Sequence, residues 1–141
     1  MRLLAAAVVC AALAGGCGSD DKVKEGEVVP ALEKLGLDIH YRDIPEPAGV
    51  DEIVAGRATR NGVSLDFAIL VGDAASTTDR APVVPYMGFS SGIGFGNAFV
   101  IRNDLNAIDR DRKALKAKGR IGLEIESAVC DLVPDTPCAG A

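Results

Sequence analysis

Residues 54–71 read VAGRATRNGVSLDFAILV, and this stretch decides the fold. From Val63 to Val71, large apolar residues occupy every second position, which is the period of a strand with one buried face. Asn61-Gly62 before them is the preferred dipeptide of a two-residue type I′ turn. The stretch therefore predicts a β-hairpin.

A two-residue turn at Asn61-Gly62 also predicts the register, because it pairs Arg60 with Val63. On one face, each resulting pair joins a small or medium residue to a large one: Ala58–Leu65, Gly56–Phe67 and Val54–Ile69. On the other face, the pairs are polar: Arg57–Asp66 and Thr59–Ser64. Opposite charges and facing hydroxyls are favourable cross-strand neighbours, so one register satisfies both faces.

The segments on either side of the hairpin predict four more elements. They are a short helix over Glu27–Leu35, a half-buried strand over Leu37–Ile44, a strand over Asn97–Arg102 and a long helix over about Asp109–Asp131. The order α-β-β-β-β-α predicts an α+β domain with two layers. We expect an antiparallel sheet of about four strands, covered on one face by the short N-terminal and long C-terminal helices.

The N-terminus carries the features of an export signal. Arg2 is followed by the uncharged run LLAAAVVCAALA, which is too short to span the hydrocarbon core of a bilayer as a helix. The next stretch, Leu13-Ala14-Gly15-Gly16-Cys17, resembles the lipobox of bacterial lipoproteins. The resemblance implies cleavage before Cys17, a diacylglyceryl group on its thiol and further acylation such as palmitoylation. The protein would then be anchored on the outer side of the cytoplasmic membrane, or in the periplasm of a cell with two membranes.

Ordinary secretion is the alternative, because Ala12-Leu13-Ala14 is also a cleavage site for release of a soluble protein. That form would retain three cysteines, one of them unpaired in an oxidising compartment. Lipidation instead uses Cys17, and removal of the signal discards Cys10. The remaining two cysteines, Cys130 and Cys138, are then predicted to form a disulfide.

These assignments divide the chain into four parts. They are a signal peptide over residues 1–16, a lipidated cysteine with its tether over 17–26, a single domain over 27–133 and a C-terminal tail over 134–141. The net charge of the whole chain is −5, which argues against nucleic acid as a partner.

No motif in the sequence predicts catalysis or a cofactor. Gly88-Phe89-Ser90-Ser91-Gly92 matches the G-x-S-x-G pattern of a nucleophile elbow, but a strand is predicted after it and the one histidine, His40, lies upstream. The acidic residues from Asp104 to Asp111 lack the Gly and Glu of a calcium loop and suit a helix N-terminus. Cys130 and Cys138 have no third zinc ligand near them. We therefore expect no enzyme activity, no metal and no cofactor.

The leading hypothesis is a membrane-tethered interaction or binding module with an unknown protein partner. The long connection between Asp73 and Gly96 is its predicted working part, because such connections are often functional. The alternating glycines Gly92, Gly94 and Gly96 at its end predict a flexible loop that leads into the next strand. Its apolar middle supplies the predicted contact residues, which are Val83, Val84, Tyr86, Met87 and Phe89. The alternative is that Val83–Met87 adds a strand to the sheet or packs on the core. Two other functional readings stay open, an inhibitor of an extracytoplasmic enzyme and a small enzyme around His40 and Asp38.

Overall fold

The computed structural model describes residues 22–87, 91–103, 112–133 and Cys138. The predicted signal peptide 1–16 and Cys17 lie outside the described residues, as do the acidic residues from Asp104 to Asp111. The elements in chain order are α1 Val28–Glu33, β1 Asp38–Arg42, β2 Val50–Arg60, β3 Val63–Gly72, α2 Ala74–Thr77, α3 Val84–Met87, β4 Ser91–Phe95, β5 Ala98–Asn103 and α4 Arg112–Cys130. Within these residues, no helix has the length and apolar character needed to cross a bilayer.

The strands form one antiparallel sheet in the order β1-β2-β3-β5-β4. The predicted α+β class is confirmed, and the sheet has five strands. Every predicted pair of the hairpin is also confirmed, from Arg60 opposite Val63 to Val54 opposite Ile69. Asn61 has the positive φ of 53° that the turn requires.

The helices α1 and α4 cover one face of the sheet and enclose the main core. Phe67, Leu65 and Ile69 of β3 lie at its centre and are at most 1% exposed. Val28 and Leu32 reach this core from α1. The long helix contributes Ile121, Ile125 and Val129. Both helices therefore bury the apolar stripes that their sequences predict.

A second buried cluster lies on the opposite face of the sheet. Ala55, Leu70 and Ile101 contribute to it from three adjacent strands. Ile44 covers the cluster from the β1–β2 connection and Val50 covers it from the start of β2. The helix α3 packs over it from the segment after β3. This cluster explains why β3 is buried on both sides along its second half.

Strand β4 replaces the flexible loop predicted for the glycine-rich stretch before the fourth strand. A Cβ atom on Gly92 would overlap the ring of Phe99 in the neighbouring strand, so the ring covers this part of the strand. Gly96 has φ 59°, the left-handed conformation used in a tight turn into β5. The loop prediction was wrong because the packing of this strand comes from an aromatic residue on its neighbour and not from its own side chains.

Cys130 and Cys138 lie at disulfide distance, as predicted, with their Cα atoms 5.8 Å apart. Cys130 is the last residue of α4 and is 1% exposed. The pair connects the C-terminal tail to the end of the long helix.

We expect Cys138→Ser to lower the free energy of unfolding by about 2.5 kcal/mol, the chain-entropy contribution of a loop of about nine residues. Cys138 is the better position to change, because Cys130 is buried and a serine there would add an unpaired hydroxyl to the core. Urea denaturation of the oxidised protein and of the variant measures the difference. Alkylation of both cysteines without prior reduction would show that the bridge does not form.

Candidate functional site

The predicted working segment contains two short helices that pack against the sheet. In α2, the backbone N–H of Thr77 donates to the Asp73 carbonyl at 2.8 Å. In α3, the Met87 N–H donates to the Val83 carbonyl at 3.0 Å. The segment is therefore folded over residues 73–87, and β4 follows at residues 91–95.

Burial divides the predicted contact residues into two groups. Val83 is 1% exposed and Met87 is 7% exposed, both within the second buried cluster. For these two residues, a packing role replaces the predicted contact role. Val84 and Tyr86 remain exposed, by 48% and 40%. Phe89 lies outside the described residues.

Two polar side chains hold the carbonyl groups at the end of α3. Arg42 of β1 donates through Nη1 to the Tyr86 carbonyl at 3.0 Å. Asn103 of β5 donates through Nδ2 to the Met87 carbonyl at 2.7 Å. The carbonyls of the last helical turn have no partner within the helix, so these bonds satisfy groups that would otherwise need water. They also attach α3 to β1 and β5, the strands on either side of the central hairpin β2–β3.

A row of polar side chains crosses the sheet beside α3, on the same face. The register aligns His40, Arg57, Asp66 and Asn103 across four adjacent strands. Arg57 donates to both carboxylate oxygens of Asp66, at 2.8 and 3.3 Å. The hydrogen bond and then the charge of Asp66 raise the pKa of Arg57 above its ordinary value. Val84 and Tyr86 thus lie on α3 next to a polar part of the sheet that carries both positive and negative charge.

His40 and Asp38 do not form an oriented acid–base pair. The nearest nitrogen and oxygen atoms are 3.8 Å apart, longer than a hydrogen bond. The side chains are 80% and 73% exposed, so water competes for both groups. Among the described residues, no three His, Cys, Asp or Glu side chains are grouped closely enough to hold a metal ion. Ser90 of the G-x-S-x-G pattern lies outside those residues, and its Ser91 begins a strand.

A groove of about 370 Å³ lies on the other side of the sheet, between α1 and α4. Its walls are mainly short or aliphatic side chains such as Ala31, Ala128 and Leu132. The Glu124 carboxylate at its edge already accepts hydrogen bonds from both terminal nitrogens of Arg60. Glu124, one of the polar residues that line the groove together with Lys34, Ser127 and Asp131, is therefore engaged within the protein.

Tyr41 is the second exposed tyrosine and lies on the helix-covered face of the sheet, opposite Gly56. Partial burial raises its pKa above the ordinary value, and the nearby Glu33 charge adds to the increase. It is 44% exposed, close to the value for Tyr86. Tyr41 is therefore a matched reference for changes at Tyr86.

No known protein family, no curated protein and no solved structure matches this chain. The candidate surface therefore depends on the geometry of the chain itself. Sequence reasoning identified Val84 and Tyr86 but missed Arg42 and Asn103, which hold α3 in place. Their bonds are to backbone carbonyls, and no local sequence pattern marks such partners.

Proposed function

We propose that this protein is a membrane-tethered extracytoplasmic lipoprotein without catalytic activity, and that it binds a partner protein through Val84 and Tyr86. The observation that carries the contact surface is the exposure of Val84 and Tyr86 on a helix whose end is hydrogen-bonded to two strands. The resemblance of residues 13–17 to a lipobox supports the tether.

The chemistry of this surface suits protein recognition. Tyrosine combines a large apolar area with a polar tip and is enriched among residues that dominate binding energy. Because α3 is held by Arg42 and Asn103, its backbone does not have to become ordered when a partner binds. The polar row beside it supplies hydrogen-bonding groups for the rim of an interface.

The first expectation tests lipidation of Cys17. Cys17→Ala removes the thiol that would carry the diacylglyceryl group, so the protein should appear in soluble fractions or remain as uncleaved precursor. Two acyl chains anchor stably where one binds only marginally, so any protein that is processed should lose membrane association almost completely. Fractionation and mass analysis of the mature N-terminus measure it. Normal processing with full membrane retention would reject lipidation.

The second expectation tests the contact surface on α3. Tyr86→Ala should weaken capture of the partner from envelope extract by about 30-fold, the effect of a hot-spot residue worth about 2 kcal/mol. Tyr41→Ala removes a similarly exposed tyrosine on the other face and should leave capture unchanged. Quantitative pull-down followed by mass spectrometry measures both.

Three outcomes of the pull-down and of a thermal-unfolding measurement on the same variants change the interpretation. Equal losses in the two variants would remove the evidence for a surface at α3. A large drop in the melting temperature of Tyr86→Ala alone would assign the residue to packing. If the captured partner is a stoichiometric hydrolase, the module is an inhibitor that uses this surface.

A further inference from the structure

The segment predicted as a tether is docked on the domain from Val23 onward. Val23 is 2% exposed and belongs to the main core. Its N–H donates to Oδ1 of Asn97 at 2.7 Å, and its carbonyl accepts from Nδ2 of Asn97 at 2.9 Å. The backbone of Gly26 donates to Glu52 at 3.1 Å. One asparagine side chain thus holds both backbone groups of Val23, an arrangement that we call the Val23 clamp.

The Val23 clamp lies at one end of the sheet. Asn97 occupies the β4–β5 turn, and its carbonyl accepts the N–H of Gly72 at the end of β3. Gly72 in turn pairs with Val50 at the start of β2. The Asn61-Gly62 turn is at the opposite end of the same two strands. The nine residue steps along β3 place the two ends about 30 Å apart, at about 3.4 Å per residue.

Between Cys17 and Val23 there are only six residue steps, which reach at most about 21 Å when fully extended, at about 3.5 Å per residue. We propose that the clamped end of the sheet faces the lipid headgroups and that the Asn61-Gly62 turn points away from the membrane. This orientation rests on the proposed lipidation of Cys17. The greatest possible distance from Cys17 to Val23 is shorter than the sheet is long, so the lipid anchor restrains one end of the domain and not the other.

The clamped end has the chemistry of a surface that rests on headgroups and does not enter the bilayer. Its exposed charged residues are Lys22, Lys24, Glu25, Asp51 and Asp73. Two basic and three acidic groups give little net attraction to anionic lipid. None of the large apolar side chains exposed among the described residues belongs to this end, which comprises residues 22–26, 49–51, 72–73 and 95–97. The acyl chains would bind the protein to the membrane, and the Val23 clamp would set the orientation of the domain on it.

The chain contains no tryptophan, so a single introduced tryptophan reports the position of one end. Asp51→Trp places the reporter near the clamp. Asp38→Trp places it at the far end, because Asp38 pairs with Thr59 eight steps along β2 from Asp51. Both positions are exposed, and both changes remove one negative charge. The full-length lipoprotein is reconstituted into phosphatidylcholine vesicles that contain dansyl-labelled headgroups, and energy transfer from tryptophan to dansyl is measured.

Transfer from Asp51→Trp should exceed transfer from Asp38→Trp by about threefold or more, because the positions are separated by about 27 Å along the strand. Insertion of about ten Gly and Ser residues between Lys22 and Val23 should bring the ratio toward one, since it adds about 35 Å of reach. Asn97→Ala, which removes both clamp bonds, should lower the ratio. The matched change Asn103→Ala, which removes a different asparagine bond, should preserve it.

Equal transfer from the two reporters with the native tether, on protein that floats with the vesicles, would overturn the orientation and leave lipidation standing. Greater transfer from Asp38→Trp would overturn it as well. A native tether and a lengthened tether that give the same ratio would show that the clamp and the short reach do not set the direction. Protein that fails to float with the vesicles would reject the lipid anchor, and the orientation with it.

Discussion

Phe67→Ala is expected to lower the free energy of unfolding by about 3–5 kcal/mol, the range for removing a large aromatic side chain from a packed core. Phe67 is 0% exposed and lies on the central strand β3, opposite Gly56. Gly56 has no side chain to fill the space, and a Cβ there would overlap the backbone of His40 in β1. The chain next to Phe67 therefore has little freedom to close the cavity.

Urea denaturation with an unchanged m-value measures this loss. Phe67→Leu is the matched control, and it should cost clearly less because most of the apolar volume remains. A loss below about 1 kcal/mol for Phe67→Ala would show that the site collapses or that the hairpin packs differently.

Loss of the ion pair between Arg102 of β5 and Glu126 of α4 is expected to cause the second large decrease in the free energy of unfolding. Arg102 Nε lies 3.2 Å from the Glu126 carboxylate, and the side chains are only 19% and 15% exposed. Arg102 also donates through Nη1 to the Gly119 carbonyl at 3.3 Å. A Cβ on Gly122 would overlap the guanidinium group of Arg102. Glycine at this position therefore lets the Arg102 side chain pack directly against α4.

We expect Arg102→Met to cost about 3 kcal/mol, because it leaves the Glu126 carboxylate mostly buried without its cation. The double variant Arg102→Met with Glu126→Leu should recover most of that loss, since an apolar pair of similar size needs no charge compensation. Arg57→Met is the matched control at an exposed pair and should cost at most about 1 kcal/mol.

Denaturant unfolding of the wild-type protein, of the single variants Arg102→Met and Glu126→Leu, and of the double variant gives the coupling energy between the two positions. Losses at Arg102 and Glu126 that simply add would show that each side chain acts through its own packing and not through the pair.

The sequence by itself determined the parts of the fold that depend on local pattern. The period of two in β3 and the Asn61-Gly62 turn specify the hairpin, since a slip by one residue would expose Phe67 and bury Asp66. The spacing of Ile125 and Val129 specifies the buried stripe of α4.

Only the tertiary structure decided the features that depend on contacts between residues far apart in the sequence. Strand β4 has weak strand character of its own and depends on the ring of Phe99 from β5. The division of α3 into buried Val83 and exposed Tyr86 depends on how Arg42 and Asn103 attach it to the sheet. Each of these contacts joins residues whose closeness is set by the order of the strands. Local periodicity carries no information about that order, because the same alternating pattern suits any neighbour in a sheet.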